Sequence, residues 1–121
     1  MKSTDIVTLW CTLIPNPGKE DKLREALLQL ADTVKKVETE CMQYQVIEID
    51  ISNGEGPSSN IMFKLLEQWT NKIALENHTK REWLIEHRQM LDREKVLASD
   101  ESIQPVAIIG GFGLRLSTPA T

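Results

Sequence analysis

Four residues of this 121-residue chain combine types and spacing that could do chemistry: Glu67, Trp69, Asn77 and His78. Glu67 and Trp69 stand two apart in IMFKLLEQW (61–69), so on a strand they share one face. His78 follows on a segment that reads as a helix returning over that face. A carboxylate, an indole N–H, an amide and an imidazole would thereby converge between sheet and helices. A cavity there would take a flat apolar ligand, oriented by a few polar groups. The same residues admit a structural reading, in which Glu67 pairs with Arg81 or Arg88 and His78 is a hydrogen-bonded core histidine.

Other chemistries find less support. No glycine-rich phosphate loop is present, and GGFG at 110–113 sits inside a strand pattern, where a bulge explains it. Two histidines without a third nearby ligand do not make a metal site, so none is expected. Cys11 and Cys41 read as small buried apolar residues, with a Cys–His nucleophilic pair as the competing reading. Lys and Arg number 14 against 18 Asp and Glu, a net charge of −4 without a basic block. Nucleic acid and anionic membrane surfaces both need clustered cations, so neither is expected as a partner. MKSTDIVTLW lacks a signal-peptide core, and no apolar run approaches the roughly 20 residues of a membrane span. The expectation is one soluble, cytoplasmic domain over 1–121 with reduced thiols. Three of the six aromatics are tryptophan, a residue favoured in half-polar walls and interfaces.

The elements that must position the four residues follow from periodicity. IVTLWCTLI (6–14) is a strand apolar on both faces, with Ile6, Thr8, Trp10, Thr12 and Ile14 opposite Val7, Leu9, Cys11 and Leu13. PNPG (15–18) ends it. Leu23, Leu27, Leu30, Val34 and Val37 form one apolar stripe on a helix over 19–39. CMQYQVIEIDI (41–51) is a second strand, with Tyr44, Val46, Glu48 and Asp50 on one face. A turn-rich loop over 52–60 leads to the third strand, 61–69, with Ile61, Phe63, Leu65, Glu67 and Trp69 on one face. Thr70 or Asn71 caps a helix through IALENH, and a broken helix continues over 80–93, with Ala74, His78, Ile85 and Arg88 approximating a stripe. A last strand is expected over 102–116, then a polar tail, 117–121. The order β-α-β-β-α-β is the ferredoxin-like split βαβ plan, an α+β fold with four antiparallel strands and the helices on one face. The sheet's other face would be covered by a second copy of the chain, a homodimer.

GKEDKLREALLQLADTVKKVE, CMQY and LLEQWTNKIALENH together resemble the antibiotic biosynthesis monooxygenase domain family of dimeric α+β barrels. The resemblance rests on Pro17-Gly18 before the helix, on the turn from Glu38 to Tyr44, and on Glu67-Gln68-Trp69 leading to His78. It spans roughly residues 5–93, with the last strand fitting by position. The family's usual Glu-Pro-Gly turn is here Glu38-Thr39-Glu40, and the region 94–121 is longer than the compact family ending.

The resemblance implies oxygenation of a polycyclic anthrone or quinol, or a related polyketide of secondary metabolism, by O₂ without flavin, haem or metal. The deprotonated substrate is itself the electron donor, so the protein binds it flat, accepts a proton and stabilises an oxyanion. His78 would be the proton acceptor or relay, as imidazole titrates near neutrality. Trp69 would form the cavity wall and offer an indole donor, and Asn77 would hold a substrate carbonyl. Adjacent helical residues point about 100° apart, so His78 and Asn77 cannot both be central. Tyr44 is a second donor and Trp83 a lid or wall. Glu67 would orient His78 or cap the following helix, and Phe63 and Leu65 would line the apolar floor. Haem degradation on this fold needs an asparagine in the first strand, which IVTLWCTLI lacks. A non-oxidative isomerase or cyclase would use the same base and donor. A non-catalytic dimeric binding module would instead fill the space with Trp10, Trp69 and Trp83.

Overall fold

The computed structural model describes residues 5–51 and 60–113. Strand β1 (Val7–Leu13), helix α1 (Glu20–Val37), strands β2 (Cys41–Asp50) and β3 (Ile61–Trp69), helices α2 (Lys72–Thr79) and α3 (Glu82–Arg93) and strand β4 (Ser102–Val106) follow in that order. The four strands form one antiparallel sheet in the order β2-β3-β1-β4, with the helices on one face, a ferredoxin-like α+β fold. Most of the loop expected over 52–60, the end of the strand expected over 102–116 and the 117–121 tail lie outside the described residues.

Alternation decides which sheet face meets the helices. Leu9, Cys11 and Leu13 on β1 and Phe63, Leu65, Glu67 and Trp69 on β3 are buried, and Leu23, Leu27, Leu30 and Val34 of α1 close over them. Burying each large apolar side chain is worth roughly 2 kcal/mol, and a one-residue slip would turn a whole strand's set to solvent. Tyr44 pairs with Glu67, and Val46 with Leu65, so β2 adds to the same face. A bulge between Cys41 and Gln43 leaves exposed Met42 as the extra residue and brings Cys41 opposite Trp69.

Four expectations change. The α1 stripe stops at Val34; Val37 is half-exposed, and the buried side chain after it is Glu38, where the chain leaves the helix. The second helical stripe breaks in phase. Ala74 and His78 are buried, but Ile85 and Arg88 are exposed, and Leu84 and Leu91 are buried instead. Arg81 takes an extended conformation between α2 and α3, which resets the helical rotation. β4 stops at Val106, and residues 107–113 carry no strand, so the glycines there are not a bulge in a sheet. The outer face of β1 is not simply apolar: Thr8 accepts from Gln68, whose amide oxygen accepts from Gln43, and Lys64 bonds to Thr12.

Candidate functional site

Between helices and sheet lies a cavity of about 160 Å³ whose polar lining includes Tyr44, Glu67, His78, His87, Arg88 and Glu101. Each arrives for a local reason. Asn71 caps α2, its side chain accepting from the Ala74 N–H at 2.9 Å, and that start aims His78 at the sheet. Period-2 alternation puts Glu67 beside Leu65 on the helix-facing side of β3. His87 and Arg88 come from α3, and Glu101 precedes β4.

His78 is 3% exposed, and its Nδ1 lies 2.5 Å from Glu38 Oε2. A carboxylate only accepts, so Nδ1 carries the proton and Nε2 keeps its lone pair. The other carboxylate oxygen of Glu38 accepts from Arg81 Nε at 3.2 Å. Burial lowers the His78 pKa and outweighs the opposing pull of Glu38, so the imidazole is neutral at pH 7. Its ring stacks at a tilt on Trp69, with centroids 4.5 Å apart, and meets Tyr44 and Trp83 edge-on at 6.2 and 5.9 Å. A neutral, oriented imidazole in an aromatic box is equipped to accept a proton.

Glu67 is as deeply placed. One oxygen accepts from the indole Nε1–H of Trp69 at 3.1 Å, and the Cys11 thiol approaches the other at 3.6 Å. Burial pushes its carboxyl up to about 7, against the Trp69 hydrogen bond. Burial also holds the Tyr44 phenol and the Cys11 thiol in their protonated forms, far above their ordinary values.

The structure brings Tyr44, Leu65, Glu67 and His78 together around the cavity. Four expected site residues stand elsewhere. Trp69 is fully buried behind His78, and Glu67 occupies its indole donor. Phe63 is fully buried in the core beside Leu13 and Leu23. Trp83 is half-buried beside the His78 ring but outside the cavity lining. Asn77 faces outward, onto a shallow depression shared with Glu38, Trp69 and Arg81, as the helical rotation between adjacent residues requires. Glu67 neither orients His78 nor caps a helix; Glu38 and Asn71 do so. Arg81 pairs with Glu38 instead of Glu67. Trp10 lies on the far sheet face under Lys64, so the three tryptophans do not pack together.

Sequence reasoning missed Glu38, His87 and Glu101, and read Arg88 only as a stripe residue or a pair for Glu67. A signal for Glu38 existed: it follows Val34 by four residues, the next position of the α1 stripe, where a carboxylate has no business without a partner. Among the described residues no group of three or more His, Cys, Asp or Glu side chains is placed to hold a metal ion, and no helix is long and apolar enough to cross a membrane.

The sequence profile described as "Antibiotic biosynthesis monooxygenase" matches residues 7–89. The chain belongs to that family. No functionally curated protein matches it. Among solved structures it is similar to Rv0793 from Mycobacterium tuberculosis, at 18% identity over 90% of this chain and 100% of that one, with a TM-score of 0.69. It is similar to PA3566 from Pseudomonas aeruginosa at 24% identity, over 91% and 100% of the two chains, with a TM-score of 0.66. A third likeness is a Caulobacter crescentus protein named as a candidate antibiotic biosynthesis monooxygenase, at 21% identity over 89% and 93%, with a TM-score of 0.71. These likenesses carry the fold, and the profile match carries the family.

Proposed function

We propose that the protein is a cofactor-independent monooxygenase for a flat, deprotonatable aromatic ketone or hydroquinone, of the kind found in polyketide secondary metabolism, with O₂ as co-substrate. The observation that carries this is His78, buried, bonded to Glu38 through Nδ1 and lining the cavity; in this reading its Nε2 takes the proton from the ligand. Proton removal leaves a carbanion or phenolate that reduces O₂ itself. For a CH₂ centre flanked by aromatic rings, one oxygen atom ends in the new carbonyl and the other leaves as water with the two former carbon-bound hydrogens. Tyr44, held as a phenol and lining the cavity, serves in this reading as the donor to the substrate oxyanion.

Cavity size refines the substrate. An apolar cavity near 150 Å³ holds about one benzene ring, so 160 Å³ seats the reacting ring and not a tricycle. Arg88, Glu101 and Ile103 border both this cavity and an adjoining open groove, which leaves room for the remaining rings.

The working unit in this reading is a homodimer in the cytoplasm, formed through the far face of the sheet. Trp10, Ile47, Ile49, Met62 and Leu66 remain half-exposed there in a single chain, which supports the pairing. Sedimentation at micromolar concentration tests it, and a monomer refutes it. The reaction is tested by oxygen uptake with metal-free protein, an anthrone and a panel of hydroquinones. Uptake should exceed the buffer rate and fall at least about 10²-fold in His78→Phe, which keeps the ring packing. No uptake by the wild type, or full uptake by the variant, refutes the mechanism.

A further inference from the structure

His78 is not alone in the cavity as a group able to move a proton. Glu67, 5% exposed, lines the same space from the sheet side. Its surroundings are Cys11 from β1, Tyr44 from β2, Trp69 on its own strand, His78 from α2, His87 and Arg88 from α3, and Glu101 before β4. Among the described residues no cation lies within ion-pair distance of its carboxyl, and Glu101 adds repulsion. Oε1 accepts from the Trp69 indole at 3.1 Å and Oε2 only the long contact from the Cys11 thiol at 3.6 Å, so a proton on this carboxyl resides on Oε2.

We infer that Glu67 is the proton donor of the cavity, delivering its Oε2 proton to the oxygen that leaves the substrate peroxide while His78 removes the carbon-bound proton. The assignment rests on the oxygenase reading above. In the first half-reaction His78 takes one C–H proton, the carbanion adds to O₂, and the peroxide anion takes that proton back. The second half-reaction breaks the remaining C–H bond toward His78 and the O–O bond toward the departing hydroxide, which becomes water with the Glu67 proton. The electron pair of the C–H bond closes the new C=O, and the His78 proton then restores Glu67 through solvent. Opposite perturbations in one cavity mark such acid and base pairs. Burial lifts the Glu67 carboxyl to about 7 and lowers the His78 imidazole, so at pH 7 about half of the acid holds its proton while the base lacks one.

Glu67→Gln preserves shape and the acceptor for Trp69 but has no proton to give. Three measurements on the full-length protein read it: kcat for oxygen uptake against pH, KM, and anaerobic exchange of the anthrone CH₂ hydrogens with D₂O. Expected in E67Q are a kcat lower by about 10²-fold or more, KM within about twofold, and exchange unchanged, since exchange needs His78 alone. The wild-type kcat should fall above pH 7, a limb that E67Q lacks and Glu67→Asp retains with reduced kcat. E67D also serves if E67Q fails to fold. Wild-type uptake with E67Q equal to it in kcat and pH profile overturns the Glu67 assignment and leaves the oxygenase reading standing. Exchange without uptake in the wild type overturns the oxygenase reading, and this assignment falls with it.

Discussion

Removing the charge of Glu38 isolates what orients His78. Glu38 is buried at the end of α1 and holds two donors, His78 Nδ1 at 2.5 Å and Arg81 Nε at 3.2 Å. Their exposures differ: the His78 side chain is 4% exposed and that of Arg81 40%. Arg81 can therefore find water when its partner is lost, and an Arg81→Gln change should cost about 1 kcal/mol or less. His78 cannot, so Glu38→Ala strands a buried N–H and leaves a void, a loss of roughly 3 kcal/mol or more. Glu38→Gln retains one carbonyl oxygen for His78 but loses the charge, and falls between them at about 1–2 kcal/mol. Urea unfolding at pH 7 gives the three values. Nitrogen NMR of His78 gives the tautomer, Nδ1–H in the wild type, with a pKa that falls further in E38Q because the carboxylate no longer supports the cation. Glu38 variants no weaker than R81Q, or a wild-type imidazole protonated at Nε2, would refute this account of the dyad.

Glu67 should also govern alkaline stability. Its folded-state pKa is raised from 4.5 to about 7, so its contribution is fully present below 4.5 and is lost as pH rises through 7. Glu67→Gln should therefore gain on the wild type by up to roughly 3 kcal/mol between pH 4 and pH 8, at about 1.4 kcal/mol per pH unit. Thermal unfolding at both pH values checks this, and a constant offset contradicts it. The imidazoles act on the other side: buried His78 and half-buried His87 have lowered pKa values, so the folded state loses stability as pH falls below 6.5. His87→Gln should flatten the slope of urea midpoints between pH 6.5 and 5; an unchanged slope excludes His87 as a source. Asn71→Ala should cost about 1 kcal/mol by removing the α2 cap, with Asn71→Asp neutral in the same measurement.

Much of the scaffold was legible because its signals are local. The period-2 faces of β1 and β3, the 23-27-30-34 stripe of α1 and the Asn71 cap each need only a few neighbouring residues to be read. Failures occurred where a non-local contact overrode the pattern. A stripe drawn through α2 and α3 assumes unbroken rotation, and the extended Arg81 removes that assumption. β4 was expected to be long because VAIIGGFGLRL continues its apolar character. As an edge strand it pairs, among the described residues, only with β1, tolerates Pro105, and stops after five residues.

The site shows the same division more sharply. Alternation placed Glu67 and helical spacing placed His78, but neither could say which acid holds which base. The partner of His78 lies 40 residues away in the chain, at the end of another helix and with β2 and β3 between them in sequence. Sequence spacing favoured Glu67 because it is near in the chain, whereas burial decides otherwise. Trp69 already satisfies Glu67 from two residues away, which frees Glu67 from His78 and leaves the imidazole to Glu38. Were Glu67 bonded to His78, the cavity would contain one dyad and a single proton-transfer function. Divided between Glu38 and the Trp69 indole, the two groups stay separately bonded around a space the size of a single ring, as the proposed pairing of one acceptor with one donor requires. That separation, rather than the presence of a histidine and a glutamate in the sequence, is what the proposed acid–base chemistry rests on.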